Sequence, residues 1–178
     1  MKRFVVCAAF FAAVLLLAGC SGGVSCDENG VRFSTGIGNA VDAGVDTRET
    51  VARMEKLAPG IIMYTIDHDD NLPELLSDVV KEGYVDDAKL VKDPISGKEF
   101  GYVARTFQHS PIEKPEEFPM AFALYPEAGV AVVLYADKHA DLFPTKARNA
   151  GEFVEAMHAA HPYDEDTIRV MRINARGK

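Results

Sequence analysis

Val130-Ala131-Val132-Val133-Leu134-Tyr135-Ala136 is an unbroken apolar run. A strand with one wet face alternates apolar and polar side chains. One that is apolar at every position reads as a strand covered on both faces. Upstream, Met120 to Tyr125 is a second strand candidate. Downstream, Asp137-Lys138 turns the chain into a third, Ala140 to Phe143. Phe100 to Ala104 reads as a fourth. Strands this close along the chain favour an antiparallel sheet and an α+β class.

Helical signals lie on either side of this block. From about Thr47 to Asp67, Val51, Met54, Leu57, Ile61 and Tyr64 recur at three- and four-residue spacing, the mark of one apolar helix face. Pro59 interrupts the pattern, since it lacks the N–H that would bond four residues back. The apolar phase continues beyond it, which favours a kinked helix; two helices, the second starting at Pro59, are the alternative. Asp67 to Asn71 is a polar turn. Pro73 suits the first position of a second helix, with Leu75, Leu76, Val79 and Val80 inward and Gly83 as its stop. Asp93-Pro94 and Ser96-Gly97 make a turn, and residues 108–119 are a proline-rich loop. Asn149 to Glu152 has capping-box spacing and starts a helix to about Ala160 that buries Phe153, Ala156, Met157 and Ala160. Thr167 to Ile173 alternates and reads as an edge strand. The expected architecture is a kinked N-terminal helix packed on a small antiparallel sheet, with an additional C-terminal helix and edge strand.

The first residues have a different logic. Lys2 and Arg3 are basic, Phe4 to Ala18 is apolar, and Leu17-Ala18-Gly19-Cys20 closes the run. This is the layout of a secretory signal. A membrane span needs about 20 apolar residues, and Ser21-Gly22-Gly23 breaks this run short of that. The four residues Leu17 to Cys20 resemble the lipobox of bacterial lipoproteins. The resemblance implies cleavage before Cys20, diacylation of its sulfur and anchoring to a membrane. Two or three acyl chains hold firmly where one binds only marginally. Ser21, not an aspartate, follows the cysteine, which in enteric bacteria implies the outer membrane rather than the inner one. The domain then stands in the periplasm or at the cell surface. The expected organisation is a signal peptide over residues 1–19, a lipidated, flexible Gly/Ser-rich tether over 20–47 with a short strand at Val31-Arg32-Phe33, and one globular domain over 48–178.

Composition narrows the function. The net charge is −8, and loss of Lys2 and Arg3 with the signal deepens it to −10. No basic block remains to neutralise phosphates, which argues against nucleic acid as a partner. The chain has 3 cysteines. Cys7 leaves with the signal and Cys20 takes lipid, so Cys26 has no partner for an intramolecular disulfide, and paired-cysteine zinc sites are excluded.

Three further segments resemble the globular part of type II secretion pseudopilins and related pilin-like envelope proteins. Ile62 to Pro73 resembles the end of their long helix, where an aliphatic-Tyr stretch leads to an Asp-rich turn and a proline. Lys92 to Tyr102 resembles their Lys-Asp-Pro turn and following aromatic strand. Val133 to Ala140 resembles an Ala-Asp-Gly-His hairpin, with Lys138 in place of its glycine. The likeness covers about residues 50–142. It implies structural or recognition work beside an envelope or secretion protein. The lipobox stands where a pseudopilin has its processed filament helix, so the likeness does not extend to filament assembly.

Candidate chemistry is sparse. Asp67, Asp69 and Asn71 alternate like the first, third and fifth ligands of a calcium loop, and Asp78 falls at the twelfth position. Leu72 stands where such a loop needs glycine, and a solvated turn explains the same residues. His158 and His161, with Asp164 and Asp166 following, have spacing open to a transition metal, but a helix C-terminus also favours histidine by its dipole. No nucleophile elbow and no phosphate loop after a strand is present, so nothing argues for an enzyme. Two readings follow: an envelope docking module, with no catalysis, presenting an apolar or aromatic patch among Phe107, Phe118 and Tyr163; and a calcium-binding lipoprotein. A small envelope hydrolase is a third.

Overall fold

The computed structural model describes residues 24–27, 30–33 and 45–176. In the N-terminal unit, β1 (Val24–Asp27) and β2 (Gly30–Phe33) pair antiparallel, with Cys26 opposite Val31. The strand expected at Val31 to Phe33 is therefore present, and its partner over Val24 to Asp27 lies where a spacer was expected. The lipobox lies outside the described residues.

In the second unit, four strands form an antiparallel sheet in sequence order: β3 (Gly101–Tyr102), β4 (Pro119–Tyr125), β5 (Val130–Tyr135) and β6 (Ala140–Pro144). Every residue of β5 is buried, as its unbroken apolar run requires of a central strand. Helix α1 (Arg48–Asp67) runs through Pro59 as one helix rather than two. Tyr125 and Phe122 are an odd number of residues apart on β4 and so face opposite sides of the sheet. On one side the Tyr125 hydroxyl lies 2.9 Å from that of Thr50 on α1. On the other, Phe122 stacks on Phe153 of α3 (Ala150–Ala160) at 4.1 Å, and Phe143 of β6 meets the same ring edge-on at 6.2 Å. The sheet is thus sandwiched between helices. Gly101 allows this packing, because a Cβ there would collide with the Phe122 ring.

Three expectations need correction. Pro73 does not open the second helix: α2 is Leu76–Lys81, and Leu75 precedes it with its N–H donating to the Asp78 carboxylate at 2.9 Å. Leu75 is exposed, while Leu76 and Val79 face inward. In α3, Val154 is buried beside Phe153 and Met157, while Ala160 is exposed. The expected edge strand is instead a fourth helix, α4 (Glu165–Arg176). Its buried residues are Ile168, Met171 and Asn174, a three-residue spacing, while Ile173 is 62% exposed. The apparent alternation came from reading Val170 and Ile173 as inward. Asp164 starts the helix by accepting from the N–H groups of Asp166 and Thr167 at 3.0 and 2.9 Å. Glu165 and Asp166 in the first turn suit the positive end of its dipole.

Candidate docking groove

The chain between β3 and β4 would be an unsupported loop if it did not find partners for its backbone. It finds them on three sides. From the turn after α1, Asp70 accepts from the Ser110 N–H on its carboxylate at 2.7 Å and from the His109 N–H on its carbonyl at 2.9 Å. The Ser110 N–H holds the Asp70 carboxyl below the usual carboxylate range. Leu72 N–H donates to the Phe107 carbonyl at 2.9 Å. From the β5–β6 hairpin, the Ala136 N–H donates to the Phe118 carbonyl at 3.0 Å, and the Ala136 carbonyl lies 2.9 Å from His109 Nε2. From the junction of α3 and α4, the Tyr163 hydroxyl donates to the Glu117 carbonyl at 2.8 Å.

These fixings leave a groove of about 620 Å³ between the loop and the α3–α4 junction. Phe107, Phe118 and Tyr163 form its aromatic wall. Phe107 meets Phe118 edge-on at 5.0 Å, and Phe118 meets Tyr163 edge-on at 6.5 Å. Phe118 is only 4% exposed and serves as floor, while Phe107 and Tyr163 are half-buried and reach the opening. Thr106 at the rim adopts φ +69°, a conformation uncommon for a β-branched residue. It sits in the tight turn that closes from the Phe107 N–H to the Ala104 carbonyl at 3.2 Å.

Tyr163 is placed with care. Its N–H donates to His158 Nδ1 at 3.1 Å, and its ring lies 6.0 Å from the His158 ring. Burial, reinforced by the negative charges that Tyr135 and Glu117 carry when ionised, pushes its hydroxyl well above the usual phenol range, so it remains a donor. The groove rim is acidic: Glu113 and Asp164 are exposed, Glu117 is half-buried, and Lys114 is paired to Glu117 at 3.1 Å. Hydrogen bonds from Thr167, then Asp166, keep the Asp164 carboxyl depressed.

Three of the four residues proposed as calcium ligands have other engagements. Asp67 accepts from the Tyr84 hydroxyl at 2.8 Å, Asp78 serves α2 and pairs with Lys81 at 2.8 Å, and the Asn71 amide donates to the His68 carbonyl at 2.8 Å. Asp69 is exposed at φ +51° in the turn. Among the described residues, no three Asp, Glu, His or Cys side chains gather as metal ligands would. His158 and His161 likewise part company: His161 lies 3.8 Å from the Glu117 carboxylate. Also among the described residues, no helix is long and apolar enough to cross a membrane.

Sequence reasoning missed the framing residues. Asp70 lies inside the acidic turn without a role of its own in the sequence, and His158 is there either a metal candidate or a histidine favoured by the helix dipole. No local pattern marks either, because their partners lie 40 and 5 residues away in loops. No family model, curated protein or solved structure matches the chain.

Proposed function

We propose that the protein is a lipid-anchored docking module of the bacterial cell envelope. Residues 1–19 are its signal peptide, Cys20 carries the lipid, and the domain beyond residue 47 receives a protein partner in the groove walled by Phe107 and Tyr163. One observation carries the docking part: aromatic rings from separate segments converge on an open cleft whose loop is tied down from three sides. Concave, largely preformed sites with an apolar wall and a few polar groups are where proteins bind ligands, and tyrosine anchors are typical of interface centres.

The anchoring part rests on the Leu17-Ala18-Gly19-Cys20 motif. The antiparallel sheet crossed by one long N-terminal helix supports the likeness to pseudopilin globular domains, and a secretion or envelope component is the partner class that likeness favours. The outer membrane is the favoured site, from Ser21.

The test is made in cells. A photo-crosslinking amino acid is placed at Phe107, at Tyr163 and, as a control, at exposed Glu127 in the β4–β5 turn. A discrete protein adduct from the first two positions and not the third is expected. The absence of adducts at both groove positions would sink the docking reading. Labelled palmitate should appear on the wild-type chain and vanish with Cys20→Ser; label retained on that variant would end the anchoring reading.

A further inference from the structure

We infer that the groove selects a basic, amphipathic peptide segment of a protein partner: an arginine or lysine next to an aliphatic or aromatic side chain. This rests on the docking reading above and adds the chemistry of the occupant. The argument is one of charge complementarity over an aromatic wall.

Three carboxylates, Glu113, Glu117 and Asp164, border the groove against a single cation, Lys114, and that cation is already held by Glu117 at 3.1 Å. A helix N-terminus stands at the same rim, and such an end ordinarily favours anions. Here it is occupied, because Asp164 already accepts from the Asp166 and Thr167 N–H groups. An acidic segment would therefore find like charge, with the Asp166 and Thr167 N–H groups already taken. A purely apolar one would cover the rings and leave the excess negative charge of the rim, three carboxylates against one lysine, without counter-charge. A guanidinium satisfies both parts. It stacks on a half-exposed aromatic face such as Tyr163 or Phe107 and presents its forked donors to a carboxylate. The net charge of −8 adds long-range attraction for such a segment and opposes anionic lipid at the same surface.

The experiment uses the full-length protein in detergent, panned against random dodecapeptides displayed on phage. The expected winners carry an excess of Arg and Lys over Asp and Glu, with an adjacent aliphatic or aromatic residue. Tyr163→Ala should weaken them by about tenfold or more, as loss of a central aromatic contact does. The double variant Glu113→Gln/Asp164→Asn keeps the helix cap, since Asn caps as well as Asp. It should bind several-fold more weakly and with a flatter salt dependence. Winners without a basic excess, or unchanged binding to the double variant, would overturn the inference while leaving the groove as a docking site. No enrichment, or binding indifferent to Tyr163→Ala, would remove the docking reading and this inference together.

Discussion

The Tyr163 hydroxyl donates to the Glu117 main-chain carbonyl across 2.8 Å, joining positions 46 residues apart. It ties the α3–α4 junction to the end of the proline-rich loop and so sets the width of the groove. Tyr163→Phe removes one hydrogen bond and leaves a carbonyl without that donor. We expect a loss of about 1 kcal/mol in stability, read by urea denaturation, with faster amide exchange at Glu117 and Phe118. Unchanged exchange there would mean that the bond does not hold the loop.

Lys138 occupies φ +82° in the β5–β6 hairpin, a conformation that glycine adopts without steric cost. The left-handed region strains a side-chain-bearing residue by about 1–2 kcal/mol. Glycine relieves that strain but loosens the unfolded chain. Lys138→Gly should therefore stabilise the protein by a net of about 0.5–1 kcal/mol. The melting temperature checks it, and a fall would show that Lys138 has contacts outweighing its strain.

All six tyrosines lie among the described residues, and each is held neutral beyond its ordinary range. The Asp67 carboxylate, bonded to its hydroxyl, pushes Tyr84 up to about 12. Burial pushes Tyr135 up to about 12 and Tyr102 well above the phenol range. A raised folded value favours the protonated phenol in the fold. The stability it contributes is intact below about pH 10, where an unfolded tyrosine titrates, and is lost as pH rises through the folded value. The chain has no tryptophan, so tyrosinate absorbance is a clean readout. At pH 11 the native protein should show little of it and the urea-unfolded protein nearly all. Early titration of several rings would contradict the packing described.

Asp93 shows the same principle at acid pH. It is 4% exposed, and burial alone would raise its carboxyl. The Ser96 hydroxyl, then the Tyr125 hydroxyl at 2.5 Å and the Ser96 N–H at 2.8 Å, outweigh that and hold it low. A depressed folded value means that its contribution is present above the unfolded range near about pH 4 and is lost as pH falls through the folded value. Asp93→Asn should be less stable at neutral pH and lose less stability on acidification. Parallel acid-denaturation curves for the two proteins would show that the cluster does not couple to pH.

The sheet was legible because β4 and β5 carry continuous apolar runs and β6 follows β5 across a short polar turn, and α1 because its periodicity survives Pro59. The converging aromatics were nameable from sequence only as loose candidates. Their meeting depends on Asp70, Ala136 and Glu117, whose hydrogen bonds each engage a main-chain group over a long separation and leave no local pattern. The C-terminal helix was misread because Ile168 and Val170, and again Met171 and Ile173, repeat at two residues, although the two pairs are out of phase with each other and Ile168 and Met171 keep helical spacing. Asn174 decides between the two periods: it is polar yet buried, which makes sense only when its partner is known.

That partner is the strand end after β3. The Asn174 side-chain amide donates to the Val103 and Arg105 carbonyls at 2.9 and 2.6 Å, while the Asn174 main-chain carbonyl accepts from the Arg105 guanidinium. Helix α4 is thus fastened near its end by Asn174, while Tyr163 fastens the junction before its start. Asn174→Leu is similar in size but strands two carbonyls, and a stranded buried group costs about 1–3 kcal/mol. We expect a loss of about 2 kcal/mol or more, well above that of Tyr163→Phe. If the two fastenings hold one rigid helix, the double variant should depart from additivity by about 0.5 kcal/mol or more. Simple additivity would mean that each end of α4 is held independently, and that the groove wall moves without disturbing the core.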